Sequence, residues 1–247
     1  MRVKRNAAAM AGHDETASPE TSFTAAETAY RKLRSDIVAG VFEPGQPLRL
    51  EFLRQRYGLS FSPLREALNR LQTERLVLAA ALRGFSVAPV SIEEMWDVTE
   101  TRSLIECEAL KRSIARGDDD WEAGIVAAFH ALDLQVRRHL PPGRELSVDE
   151  LSALEIRHQE FHSALIAKCG SRRLINLADQ LHVETQRYRL PALAGKMPTG
   201  TRDVALEHRQ IMDATLARDA DKAQALLAAH YRRTAELIEA QMSPRTG

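Results

Sequence analysis

Cysteine is scarce in this chain: there are two in 247 residues, and Cys107 and Cys169 show neither a CxxC nor a repeated spacing. A disulfide framework and a zinc ribbon are thereby set aside, and both residues read as buried packing side chains. Long apolar runs are lacking as well, none approaching the roughly 20 residues that a membrane-spanning helix needs, so no membrane partner is expected. The first 22 residues carry basic groups but only the short apolar run Ala7–Ala11 before Pro19, which is no signal peptide. That stretch, 1–22, reads as a disordered tail of a cytoplasmic protein. There is also no surplus of charge, since 34 Lys+Arg balance 34 Asp+Glu, and a neutral total by itself points to no nucleic-acid partner.

What is present is unevenly spread. Between Ala25 and Val90 there are 10 basic against 6 acidic residues, and the remaining 24 against 28 reverse the sign. At 247 residues the chain suits two domains, placed at 23–90 and 91–242, and the basic surplus of the first supports a nucleic-acid partner only with a motif beside it.

In the first part, Tyr30, Leu33, Ile37 and Val38 recur at helical spacing and predict a helix over Ala25–Ala39, closed by Gly40 and the Pro44–Gly45 turn. A second helix is expected over Leu50–Tyr57, ended by Gly58. A third follows one short turn later, with Ser62 as its cap, Pro63 in its first position, and Leu64, Ala67, Leu68 and Leu71 facing inward. The period then changes. Leu76–Leu78 and Phe85–Val87 flank Leu82-Arg83-Gly84 and predict a β-hairpin with glycine at its tip. Helix, turn, helix and hairpin make a winged helix-turn-helix, in which the serines and free amides at the start of the third helix can meet phosphates. The residues expected to face DNA are Arg49, Ser60, Ser62, Arg65, Asn69 and Arg70, with Arg83 and Gly84 on the wing. The competing use of such a unit is protein binding.

The runs Ile37–Gly45, Gly58–Leu68 and Arg83-Gly84-Phe85 resemble the GntR family of transcriptional regulators over about 65 residues. The resemblance implies double-stranded DNA as partner, a palindromic operator, a homodimer and repression. Two positions depart from the family pattern: Phe61 stands where arginine is usual, and Arg75 where glycine is usual. The first removes a candidate for reading bases. The second makes a left-handed helix exit costlier.

Beyond the connector Pro89–Ser91 no strand signal appears, and helical patterns are expected from Ser91 onward and at about Trp121–Arg138, Ser147–Cys169, Ser171–Tyr188, Thr201–Arg218 and Asp219–Met242. The fold class is therefore mainly α, a winged helix-turn-helix followed by a helical bundle. The run Asp118–Asp120 reads as acidic residues answering a helix start, not as a metal site.

Histidine placement is the informative feature. His158 and His162 lie four apart, hence on one helical face, while His208 and His230 fall on two later amphipathic helices. Spacing leaves two readings open: separate core or surface histidines, or four rings turned to a common centre as metal ligands. Arg102 can clamp a carboxylate or form a surface ion pair with Glu106. His182, Arg187, Tyr188 and Arg189 share one candidate pocket helix, and His13, His130 and His139 are expected at the surface.

Arg102–Glu106, the His158–His162 segment, Glu207-His208-Arg209 and the stretch Ala220–His230 resemble the FCD ligand-binding domain of the FadR branch. That resemblance implies an antiparallel bundle of six or seven helices, a divalent metal held by an Asp and three His, and a small carboxylate or dicarboxylate effector beside it. His162, His208 and His230 match the three histidines, and His158 stands in the place of the Asp. An all-imidazole set is softer and favours zinc or nickel. Effector contacts are expected from Arg102, Arg187 and Tyr188. Two other classes compete: a helical metalloenzyme activating water, and a scaffold with a structural metal. The sequence shows no GxSxG, HExxH or phosphate loop, and Glu160 faces away from the paired histidines.

Overall fold

The computed structural model describes residues 23–80, 84–139, 147–194 and 202–242, and the architecture is mainly helical. The expected tail 1–22, the wing tip with Arg83, the Pro141–Gly143 break and His13 lie outside the described residues.

Three helices and a hairpin come first. Helix α1 (Ala25–Val38) is capped by Thr24, whose hydroxyl accepts from the Glu27 amide, and buries Ala29, Leu33, Ile37 and Val38. Helix α2 (Leu50–Tyr57) ends at Gly58 with φ 68°, a left-handed conformation that glycine adopts without a Cβ clash. Helix α3 (Phe61–Thr73) starts two residues earlier than expected: Ser60, not Ser62, is the N-cap, and Ser62 and Pro63 lie in the first turn. The sequence misplaced this start because proline is tolerated anywhere in the first turn, where amides have no partner within the helix. Strands β1 (Val77–Ala80) and β2 (Gly84–Val87) pair antiparallel, with Val77 opposite Val87 and Ala80 opposite Gly84. Gly84 therefore opens β2, with φ 81°.

The exit from α3 turns at Arg75, which sits at φ 55° in the region that favours glycine. The Leu76 amide donates to the Leu71 carbonyl at 3.0 Å, closing the helix end as a left-handed exit does. The turn is thus kept without the glycine that usually makes it. Leu53, Leu64, Leu68, Leu71, Leu76 and Val77, all fully buried, fill one apolar core with α1.

Six helices follow among the described residues: α4 (Ile92–Arg116), α5 (Asp119–His139), α6 (Val148–Ile166), α7 (Arg172–Ala194), α8 (Val204–Leu216) and α9 (Ala220–Met242). Their starts are set by local chemistry. Ser91 caps α4, Ser147 and Glu150 form a reciprocal capping box on α6, and Asp203 accepts from the Leu206 amide at α8. Asp118 likewise accepts from the Trp121 amide at 3.0 Å. Several bounds differ from the sequence expectation: α5 starts two residues earlier, at Asp119; α6 ends at Ile166 instead of Cys169; α8 runs from Val204, because Asp203 caps it, to Leu216; and α7 runs past Tyr188 and Pro191 to Ala194. Tertiary packing carries α7 through the proline, since Leu190 is buried in the core of the first unit, with Val183 against it. Cys169 is buried and Cys107 half-buried, both free. No described helix is long and apolar enough to cross a membrane.

Candidate functional site

On the first unit, Ser60, Ser62, Arg65 and Asn69 are all exposed along the start and outer face of α3, and Arg49 is exposed just before α2. Among the described residues no acidic side chain pairs with Arg49 or Arg65, so both cations face solvent. Arg70 is exposed as expected, but its guanidinium is already engaged: it binds the Glu27 carboxylate at 2.8 Å and lies over the Tyr30 ring at 3.5 Å. It fastens α3 to α1. Helical phase put Arg70 outside, but only the position of α1 decides that a carboxylate and a ring await it there.

In the second unit, the structure brings His158, His162, His208 and His230 together. All four are buried, and one ring nitrogen from each lies within 4.8 Å of the others. Ring centroids are 4.5 Å apart for His158 and His162, 4.6 Å for His208 and His230, and 5.4 Å for His162 and His208. Helix α6 supplies two rings from one face, and α8 and α9 supply one each. The partners behind the rings are ordered too. Glu207 accepts from His230 Nδ1 at 2.9 Å, and the Tyr231 hydroxyl meets His162 Nδ1 at 2.9 Å, which leaves each ring's Nε2 toward the cluster. Three buried ring nitrogens, Nδ1 of His158 and Nε2 of His162 and His208, have no hydrogen-bond partner among the described residues.

Electrostatics keep this cluster neutral. Burial first, then the neighbouring rings, hold the His158 and His162 imidazoles well below the usual 6.5, and His208 likewise through burial and His230. Burial lowers His230 as well, against the pull of Glu207. Burial opposes ionisation of Glu207, yet its bonds to His230, Arg202 and Arg233 outweigh that and hold the carboxyl below its ordinary range. Neutral imidazoles with free lone pairs, converging in a buried cluster, are what a divalent cation needs; the donor set fits one.

Beside the cluster a cavity is lined by Arg102, His158, Tyr188, Arg189, His230 and Tyr231. Arg102 does pair with Glu106, at 2.5 Å, but the pair is buried instead of lying at the surface, with the two residues 4% and 2% exposed. Its other nitrogens donate to Thr185 and Tyr231. Arg187 turns away from the cavity: it binds Glu94 at 2.8 Å and donates to the Arg75 carbonyl at 3.3 Å. Arg189, two positions on and paired with Glu155, takes the cavity wall instead. Burial, then the nearby Arg102, lowers its guanidinium to about 9.

Sequence reasoning placed Arg189 on the candidate pocket helix without choosing it over Arg187, and did not select Glu155, Gln186, Tyr231 or the supporting role of Glu207 behind His230. The available signal was the crowding of polar residues on the inward phase of α4, α6, α7 and α9. Glu160 is exposed and paired with Arg157, away from the rings, and His130 is exposed.

Comparisons with known proteins agree over both units. The family described as bacterial regulatory proteins, gntR family, matches residues 25–87, and the FCD domain matches 97–233. BphR of Paraburkholderia xenovorans (strain LB400), an HTH-type transcriptional regulator, is 35% identical over 212 residues, covering 86% of this chain and 84% of its own. The HTH-type transcriptional repressor GlaR of Escherichia coli (strain K12) is 35% identical over 219 residues, covering 87% and 96%. Among solved structures, E. coli McbR/YncC superposes with a TM-score of 0.72 at 18% identity, over 90% of this chain and all of that one. A GntR regulator from Rhodococcus sp. RHA1 reaches 0.68 at 21% identity, again over 90% of this chain and all of its own. These last two likenesses concern the fold.

Proposed function

The chain belongs to the gntR family of bacterial regulatory proteins, is a DNA-binding transcriptional regulator with an FCD domain and not an enzyme, and we propose that a small carboxylate held beside a metal in the helical domain controls its grip on DNA. The observation that carries this reading is the set of three buried ring nitrogens without partners in the four-histidine cluster. A buried polar atom left unmatched costs about 1–3 kcal/mol, so three in one cluster of rings argue for a shared partner. His158, His162, His208 and His230 are the residues that would hold it, and an all-imidazole set favours zinc or nickel. Such an ion would supply a Lewis-acid position for a carboxylate oxygen.

Arg102 and Arg189 offer guanidiniums to the same carboxylate from the cavity wall, with Tyr188 closing one side. A small ligand with one or two carboxylates suits two arginines set in a wall that Met95, Ala235 and Ile238 otherwise make apolar. The regulator acts as a homodimer on a palindromic operator, each half-site receiving one α3 helix, with Ser60 and Ser62 at phosphates, Arg65 and Asn69 at base edges and Arg49 on the backbone. The wing, with Gly84 and Arg83, lies in the adjoining groove. Repression is the expected sense, in keeping with the named activity of the E. coli relative.

Elemental analysis of the untagged protein and of His208→Ala, followed by operator titration with and without small carboxylates, tests the reading. About one transition metal per chain, lost in the variant, is expected, with a carboxylate that shifts operator affinity. No metal after reconstitution overturns the site. A metal without any carboxylate effect favours the second reading, in which four imidazoles close a purely structural centre.

A further inference from the structure

The second half of α7 has two polar faces. Toward the cavity it presents Thr185, Tyr188 and Arg189. Toward the first unit it presents Glu184, Gln186 and Arg187. Gln186 is 3% exposed and engaged at both ends of its amide: its oxygen accepts from Arg34 of α1 at 2.9 Å, and its nitrogen donates to Glu155 of α6 at 2.9 Å. Beyond Arg34, the guanidinium faces Glu74 at 3.6 Å, and Glu74 is the C-cap of α3, held also by the Tyr30 hydroxyl at 2.7 Å. Behind Glu155 stand His182 at 3.0 Å and the cavity arginine Arg189. One residue after Glu74, the left-handed Arg75 is gripped twice more by α7, through its carbonyl by Arg187 and through its side chain by Glu184 at 3.9 Å.

We propose that α7 transmits the state of the histidine-lined cavity to the end of α3 through the chain Arg189, Glu155, Gln186, Arg34 and Glu74, which is buried at Glu155 and Gln186 and partly exposed at Arg34 and Glu74. The proposal rests on the reading that this cavity takes a carboxylate. A bound carboxylate and Glu155 compete for the same Arg189 guanidinium. When Arg189 turns to the ligand, Glu155 keeps only His182 and Gln186. The amide must follow it or leave a buried polar group unmatched, and Arg34 redistributes between Gln186 and Glu74. The recognition helix is thereby held in a different placement against the bundle, which supplies the differential affinity that any ligand switch requires. Gln186 and Arg34 are positioning residues that touch neither ligand nor DNA.

A double-mutant cycle on the full-length protein tests this without an identified effector. The probe is the DNA duplex that the wild type selects from a random pool, titrated at fixed salt, and folding of each variant is checked by thermal unfolding. Arg189→Met removes the cavity end, and Arg34→Gln or, independently, Gln186→Leu cuts the chain. Arg189→Met is expected to change operator affinity by about fivefold or more in the wild-type background and by less than about twofold in either cut background. An equal shift in cut and uncut proteins, or no shift in the wild type, overturns the relay. A protein that shows the cycle but retains no metal on purification and reconstitution keeps the relay and loses the proposed metal site.

Discussion

The two halves of this molecule solve the core problem in opposite ways. Among the described residues, every buried polar or charged side chain lies between Arg102 and His230, and the unit formed by α1–α3 and the hairpin buries none. That unit keeps its charges outside, in pairs such as Arg56 with Asp36 at 2.9 Å, around a core of leucines and valines. The bundle instead carries an apolar core around Phe161, Leu165 and Ile125, and places four imidazoles and the Arg102–Glu106 and Arg189–Glu155 pairs beside it. Burying charge is costly even when paired, and apolar replacements often stabilise. A surface built to meet DNA can rest on an ordinary core; a cavity built to hold an anion and a cation must import polarity into the interior. The difference therefore separates a unit whose function lies on its outside from one whose function lies within.

Acid should break this contrast most strongly. The four clustered imidazoles are held below 6.5 by burial, so the unfolded chain binds more protons as pH falls under that value, and stability rises with pH. Their stabilising contribution is complete above pH 6.5 and is lost below it, by up to about 1.4 kcal/mol per pH unit for each ring. Chelator-treated protein followed by thermal unfolding from pH 8 to 5 should show the bundle weakening, whereas residues 23–90 contain no histidine and give no such response. A flat profile would mean that the rings are not neutral in the metal-free core. Next in size is Glu106→Leu, which strands Arg102 in the interior and should cost about 3–5 kcal/mol in denaturant unfolding. A loss under about 1 kcal/mol would show that Tyr231 and Thr185 suffice for Arg102.

Smaller effects sharpen the other side. Arg65→Ala should leave stability unchanged and weaken operator binding by about 1–3 kcal/mol at matched salt if the guanidinium reads a base. Unchanged affinity would remove Arg65 from the interface. The smallest is Arg75→Gly, which relieves a left-handed arginine but frees the unfolded chain and drops the contact with Glu184; a change within about 1 kcal/mol is expected. A larger loss would assign Arg75 a stronger hold on α7 than its 3.9 Å contact suggests.

Much of this was readable in advance where local chemistry decides. The ends of α2 followed from Leu50, Tyr57 and Gly58, the start of α4 from Ser91, and the facing of Leu64, Leu68 and Leu71 from the helical period. The start of α3 was placed two residues late because Ser60 and Ser62 are equally good caps and Pro63 suits any position in the first turn. At the site, the four-residue step placed His158 and His162 on one face, but nothing in the spacing could bring rings from α8 and α9 to them. Arg187 and Arg189 are indistinguishable as letters on one helix. Their separation, one to the hinge with Arg75 and one to the cavity with Glu155, depends on what stands opposite each.

By itself, then, the sequence determined the elements of this protein, their inward faces, the exposed cations of α3 and the presence of four histidines on amphipathic helices, because these depend on contacts within a few residues. The tertiary structure alone decided that the histidines share a centre, that Arg102 and Glu106 pair in the interior and that Gln186 bridges α1 to α6, because each depends on the position of a residue tens of positions away in the chain. Arg34 and Gln186 are 152 residues apart, and only the packing of α7 between the two units makes them neighbours.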